Sequence, residues 1–168
     1  GLAAVMAMAT VACGDAPAAS TESGNKEVAS ASTWNIGGIG PTTGGAAVYG
    51  QAVQNGAQIA VDEINAAGGL NGIKFRLEAT DDMHDATKVS TNYSSMLEKG
   101  MQVSLGTVTT GPGLEFTNLS AEDNVFFLTP SASGDDIPEI ENGYQMCFAD
   151  GNQGKVAADY VNSLGLSE

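Results

Sequence analysis

Two short polar segments carry residue types that could hold a small charged molecule. Thr109-Thr110-Gly111 falls between an apolar strand-like run and a helical stretch. At a helix N-terminus the first backbone N–H groups have no partner inside the helix, and with the helix dipole they favour an anion. Two hydroxyls add donors, and no Lys or Arg is near in the sequence, so the segment suits a carboxylate better than a phosphate. Ser131-Ala132-Ser133 follows a second apolar run and offers carbonyls and hydroxyls, acceptors suited to an ammonium. Together the two segments would hold a zwitterion. Each also has a plainer reading, Thr110 as a helix cap and the serines as an ordinary hydroxyl-rich turn.

Other motifs promise less chemistry. Gly38-Ile39-Gly40-Pro41-Thr42-Thr43 opens like a dinucleotide-binding loop, but Thr43 stands where the third glycine belongs and no Gly-Lys-Ser/Thr is present. It reads either as a flexible strand-to-helix turn or as a loop that wraps a small ligand and offers Tyr49 as a wall. Asp81, Asp82, His84 and Asp85 suggest a metal, yet their spacing fits no metal loop and Asp85 is better explained as a helix cap. No metal or other cofactor is expected. Asp135, Asp136, Glu139 and Glu141 read as a solvated loop, and Cys147 as a buried structural thiol. With one histidine and no base beside any Ser or Cys nucleophile, hydrolysis has little support and no catalytic residue is predicted.

The elements that must position these residues alternate between strand and helix. Thr33–Ile39 reads as a strand, Gly40–Gly50 as a loop and Gln51–Ala67 as a helix. Val53, Ala57, Ala60, Val61 and Ile64 form that helix's apolar stripe. Ile73–Thr80 alternates apolar and polar, the pattern of a half-buried or edge strand. Asp85 caps a helix over Ala86–Lys99, Met101–Val108 is a third strand, and Thr109–Gly113 is a tight loop before a helix over Leu114–Asp123. Val125–Thr129 is continuously apolar, as expected of a strand covered on both faces. Tyr144–Phe148 reads as a last strand and Gln153–Leu164 as a last helix. Strands separated by helices pair in parallel through right-handed crossovers, so the fold class is α/β, an open doubly wound parallel sheet. Ligands of such sheets bind beyond the carboxyl ends of the strands. The loops Gly40–Gly50, Asp81–Asp85, Thr109–Gly113 and Pro130–Asp136 should therefore converge at one edge.

Composition narrows the partners. The chain has 168 residues, 42% of them hydrophobic, enough for a packed core. Six Lys and Arg face twenty Asp and Glu, a formal charge of −14, which repels phosphate backbones and argues against nucleic acid. No apolar run reaches the roughly 18–20 residues that span a bilayer. Residues 1–13 are small and apolar up to Cys13, and residues 14–32 are rich in Ala, Ser and small polar residues without periodicity, the composition of a flexible tether. An apolar segment, a cysteine and a tether resemble a bacterial lipoprotein signal, with its basic start missing and Thr10 where a leucine is usual. That resemblance implies lipidation of Cys13.

Several segments in order resemble one family. Gly37–Gly50 (GGIGPTTGGAAVYG) and Ala60–Gly72 (AVDEINAAGGLNG) resemble the opening of type I substrate-binding proteins of ABC importers, in the branched-chain amino acid (Leu/Ile/Val) group. Leu105–Gly113 (LGTVTTGPG), Phe126–Ser133 (FFLTPSAS) and Met146–Ala158 (MCFADGNQGKVAA) resemble successive landmarks of the same family. The resemblance implies a two-lobed clamp, with residues 33–149 as the N-terminal lobe, residues 150–168 as the hinge crossing and first helix of a second lobe, and the rest of that lobe outside this stretch. It implies that Thr110 donates to a ligand carboxylate, beside Thr109. Ser131 and Ala132 would contribute backbone groups, Ser133 its hydroxyl and backbone, and Tyr49 a wall against the ligand side chain. Thr109 stands where some members carry a disulfide cysteine, so that bridge is absent here. The implied function is capture of an amino acid, branched-chain first, outside the cytoplasm, in the periplasm or on the outer face of the membrane. The implied partners are that ligand and ABC permease subunits, and the protein is expected to be a monomer. Two alternatives stay open: a sensor ectodomain of the same fold, and a binder of amides, urea or other small acids.

Overall fold

The computed structural model describes residues 32–137 and 140–166. Residues 1–31, with Cys13, the expected signal segment and all but the last residue of the expected tether, lie outside the described residues. The elements run β1 (Thr33–Gly40), α1 (Ala47–Ala66), β2 (Lys74–Asp81), a 3-10 turn (Ala86–Lys88) leading into α2 (Val89–Glu98), β3 (Met101–Thr107), α3 (Thr110–Asp123), β4 (Phe127–Thr129), β5 (Gly143–Gln145) and α4 (Asp150–Ser163). The strands form one parallel sheet in the order β2-β1-β3-β4-β5. The α/β class and the open parallel sheet expected from the sequence are present, and β2 is the edge strand its alternation predicts.

The chain leaves β1 in one direction to reach β2, then crosses back over β1 to reach β3. Right-handed crossovers therefore put α1 on one face and α2 and α3 on the other. The core lies under α2 and α3. Tyr93, Met96, Phe116 and Phe127 are all buried there. Phe116 is 0% exposed and meets Tyr93 and Phe127 edge-on, each with ring centroids 5.2 Å apart. Such pairs add about 0.5–1.5 kcal/mol each beyond area burial.

Three expectations need correction. First, α1 begins at Ala47, not Gln51, so Tyr49 and Gly50 belong to its first turn and not to a loop. Gly50 is there for a close approach: a Cβ on it would come within 2.0 Å of the Pro41 carbonyl oxygen. Second, α3 begins at Thr110, not Leu114. Pro112 sits in its first turn, where a missing N–H costs nothing, so Thr-Gly-Pro-Gly starts a helix instead of forming a separate loop. Third, β4 is not covered on both faces. Phe127 packs under α3, but Phe126 is 46% exposed and leans on Tyr144, their centroids 5.6 Å apart. The reason is that on the face opposite α3 the helix α1 packs mainly on β1 and β2 and leaves the β4 and β5 side of the sheet without comparable cover. The same limited cover leaves Ala60 and Ile64 of the α1 stripe exposed while Val61 is buried.

β3 carries the device that shapes the ligand edge. Gly37 and Ile39 of β1 pair with Ser104 and Thr107, so β3 has one extra residue there. Gly106 takes φ +60 in that bulge, and Ser104 Oγ accepts its N–H at 2.8 Å. A bulge bends its strand and re-aims the residues after it, here Val108 to Thr110. Replacing Phe116 with Ala should destabilise the fold by about 3–5 kcal/mol, read as a shift of the urea midpoint; a loss below about 1 kcal/mol would mean the aromatic cluster is not the core.

Candidate functional site

The four loops predicted to converge do so. A recess of ≈ 330 Å³ at the carboxyl ends of the strands is walled by Tyr49 from α1, His84 after β2, Val108 to Gly111 after β3, and Ser131 and Ser133 after β4. It therefore gathers Tyr49, Thr109, Thr110, Ser131 and Ser133, five of the residues singled out by sequence, and adds Val108 and His84, which sequence reasoning misses. In the sequence His84 groups with its acidic neighbours; its place after an edge strand, on the shared side of the sheet, is the available signal.

Ala132 is the exception. It is 1% exposed and packs into the core. Its carbonyl accepts Gln145 Nε2 at 2.7 Å and the Cys147 thiol at 3.2 Å, so it does not serve the recess. Cys147 is accordingly half-buried and not sealed in the core. The backbone of Ser133 is also committed: its N–H donates to Thr110 Oγ1 at 3.2 Å and its carbonyl accepts from Asp150 N–H at 2.9 Å. What this leaves for a ligand on this side is the Ser131 and Ser133 hydroxyls and the backbone groups of Ser131, which bond to no other described residue.

The Thr110 side is a donor site. The helix start places the N–H groups of Thr110 and Gly111 where the helix supplies no acceptor. Pro112 has no N–H, and Gly113 N–H is taken by the Thr109 carbonyl at 2.9 Å. Thr109 is the capping residue by position, but its side chain makes no cap bond, and Thr110 does not cap either. Because Thr110 Oγ1 accepts from Ser133, its own proton is left to donate outward. The same bond ties the start of α3 to the loop after β4, fixing the donor group against the serine hydroxyls.

The acidic cluster is a scaffold. Asp81 accepts from Thr42 N–H at 2.8 Å, Thr43 Oγ1 at 2.5 Å and Met83 N–H at 2.9 Å. Burial pushes its carboxyl up, but these bonds outweigh it and hold it at about 2. Asp82 is fully buried, accepts His84 N–H at 2.8 Å, and has one oxygen without a partner among the described residues. Burial pushes its carboxyl up, the Asp81 charge adds to the rise, and the His84 bond opposes it. Met83 and His84 both take left-handed backbone, φ +54 and +64, held by these two Asx turns. Asp85 caps the turn at Ala86 as expected, accepting Thr87 N–H at 2.9 Å. No group of three His, Cys, Asp or Glu among the described residues could hold a metal ion.

The open parallel α/β sheet thus presents a polar recess at the carboxyl ends of its strands, at the switch point of strand order where sheets of this kind bind ligands. Residues 33–167 match the profile of the periplasmic binding protein family, and the chain belongs to that family. It is 37% identical over 128 residues to Leu/Ile/Val-binding protein homolog 3 of Brucella melitensis, covering 75% of this chain and 35% of that one. It is 38% identical over 128 residues to Leu/Ile/Val-binding protein BraC3 of Rhizobium johnstonii, with the same shares covered, 75% and 35%. The chain thus spans about a third of the length of these relatives. Among solved structures it resembles the branched-chain amino acid transporter substrate-binding protein LivJ of Streptococcus pneumoniae, in complex with isoleucine. There the TM-score is 0.72 and the identity 30%, over 77% of this chain and 38% of that one. A Rhodopseudomonas palustris solute-binding protein in complex with benzoate shares the fold at 22% identity, TM-score 0.71, over 79% of this chain and 38% of that one.

Asp81 gives the fold a pH dependence with a definite sign. Its folded value, about 2, lies below the ordinary 3.8, so its contribution is present above pH 4 and lost as pH falls toward 2. Asp81→Asn should lower stability at neutral pH and flatten that acid limb in urea titrations. An unchanged slope between pH 4 and 2 would remove Asp81 as the clamp of the Thr42–Thr43 loop.

Proposed function

We propose that the chain belongs to an extracytoplasmic solute-binding protein that captures an amino acid, branched-chain first, and delivers it to an ABC permease without altering it. The observation that carries this reading is the pairing across one recess of Thr110 and Gly111 donors with Ser131 and Ser133 hydroxyls. Donors on one side and acceptors on the other, with no Lys or Arg among the lining, match a carboxylate and an ammonium on adjacent atoms. The Leu/Ile/Val names of the relatives support the branched-chain choice.

The ligand is held between two lobes in this reading. Residues 33–149 form the N-terminal lobe, and the chain crosses to the second near Asp150. The exposure of every described residue of α4 supports that division, since the helix presents Val156, Tyr160 and Val161 to solvent. The Asp150 N–H bond to the Ser133 carbonyl couples the crossing to the ligand loop. Closure of the second lobe would supply most of the ligand's burial. Residues 1–13 act as a lipoprotein signal, Cys13 carries the lipid anchor, and residues 14–32 are the tether. The protein acts as a monomer and needs no cofactor.

Two outcomes are expected. In the full-length protein, Thr110→Ala should weaken amino acid binding by about ten- to a hundredfold in calorimetric titration, the scale of a hydrogen bond to a charged group. Unchanged affinity would displace the carboxylate from this site. Cys13→Ser should move the protein from the membrane fraction to the soluble fraction of the cells that make it; retention on the membrane would discard the lipid anchor.

A further inference from the structure

The helix α4 buries no residue against the lobe, since every residue of Asp150–Ser163 is exposed. Its start is nevertheless held. Asp150 N–H donates to the Ser133 carbonyl at 2.9 Å, and Gly151 N–H donates to the Asp135 carboxylate. The next two N–H groups, of Asn152 and Gln153, go to the Ala149 carbonyl. The donors that a helix leaves unpaired in its first turn therefore have acceptors, and the first two acceptors come from the loop that follows β4 and lines the recess.

Asp135 reads in the sequence as part of a solvated loop, and it is exposed, but it has a defined partner. Its two oxygens share the Gly151 N–H, at 3.3 Å and 3.1 Å. A donor placed between two equivalent acceptors can slide from one to the other, so the helix start can turn without losing its bond. The negative charge also faces the positive end of the α4 dipole. Gly151 permits the approach: a Cβ there would stand 2.8 Å from Asp135 Oδ2. Ser133, two residues before Asp135, lines the recess, so the segment that grips α4 is also the segment offered to the ligand.

We infer that Asp135 is a positioning residue for ligand capture: its carboxylate is a swivel that holds the start of α4 on the ligand loop and sets the orientation from which the second lobe closes. This rests on the two-lobed amino acid reading above. Without the carboxylate, α4 and the lobe it opens sample a wider range of orientations, and only a fraction of them can close on the ligand. Apparent affinity falls in proportion to that fraction. The loss is on the scale of a missing helix cap, about three- to tenfold.

The test uses the full-length protein, titrated calorimetrically with isoleucine. In parallel, the distance between paramagnetic labels at Glu63→Cys on α1 and Asp159→Cys on α4 is measured with the native cysteines replaced by serine. Asp135→Ala should weaken isoleucine about three- to tenfold and broaden the distance distribution of the ligand-free protein. Asp135→Asn, which keeps one acceptor oxygen, should fall between that variant and wild type. Gly151→Ala should match Asp135→Ala, because its Cβ displaces the carboxylate, although alanine is the better helix former and would by itself steady α4. The double variant should be no worse than either single one, since both remove the same bond. Thermal midpoints measured alongside separate misfolding from lost positioning. An unchanged ligand-free distribution in both single variants, or affinity losses that add in the double, overturns the swivel. If wild type binds isoleucine while the distributions never change, the swivel alone falls. If wild type does not bind isoleucine while Asp135→Ala still broadens the distribution, the swivel stands and the amino acid reading falls.

Discussion

Everything at the ligand edge depends on β1 lying between β2 and β3. A parallel sheet built from right-handed crossovers must send the connections after β1 and β3 apart, one to each face, when the strand order reverses between them. The parting leaves a crevice that no side chain of the sheet can fill. The Gly106 bulge then turns the end of β3 into that crevice, so that α3 starts there. Tyr49 arrives from the helix on one face and Thr110 from the helix on the other, and the two face each other only because of this order.

Most polar groups near the recess are spent on holding it open. Asp81 ties the loop after β1 to the turn after β2. The Ala132 carbonyl is used by Gln145 and Cys147, and both backbone groups of Ser133 are used by Thr110 and Asp150. The groups left over include two helix-start N–H groups, the Thr110 proton, two serine hydroxyls and the Ser131 backbone. A site of this sort gains affinity through preorganisation, because the loops are fixed before the ligand arrives. It also limits the ligand to a shape with donor-seeking and acceptor-seeking atoms close together.

The layers of the fold are legible because periodicity in the sequence is strong wherever burial is one-sided. The Ile73–Thr80 alternation identifies an edge strand, and the Val89, Tyr93 and Met96 spacing identifies the buried face of α2. Glycine and proline near helix starts mislead. Gly50 and Pro112 look like loop residues locally, yet one serves a tertiary close approach and the other an unpaired N–H position. The direction of individual carbonyls is also invisible in a sequence, which is why Ala132 reads there as a ligand contact. Of the site, the types and order of Thr109, Thr110, Ser131 and Ser133 can be read from sequence. For His84 the sequence places its turn at the ligand edge but not the residue in the wall, because two left-handed residues held by the Asp81 and Asp82 carboxylates set where it sits.

The central claim is that the recess holds a free carboxylate and a free ammonium on one small molecule. Calorimetric titration of the full-length protein with isoleucine, its methyl ester and its N-acetyl derivative tests this most directly. The account predicts saturable binding of isoleucine and a loss of at least about a hundredfold for each blocked form, since each removes one charge-assisted partner and adds bulk in a closed site. Equal binding of either blocked form would contradict the account, whichever ligand the protein carries.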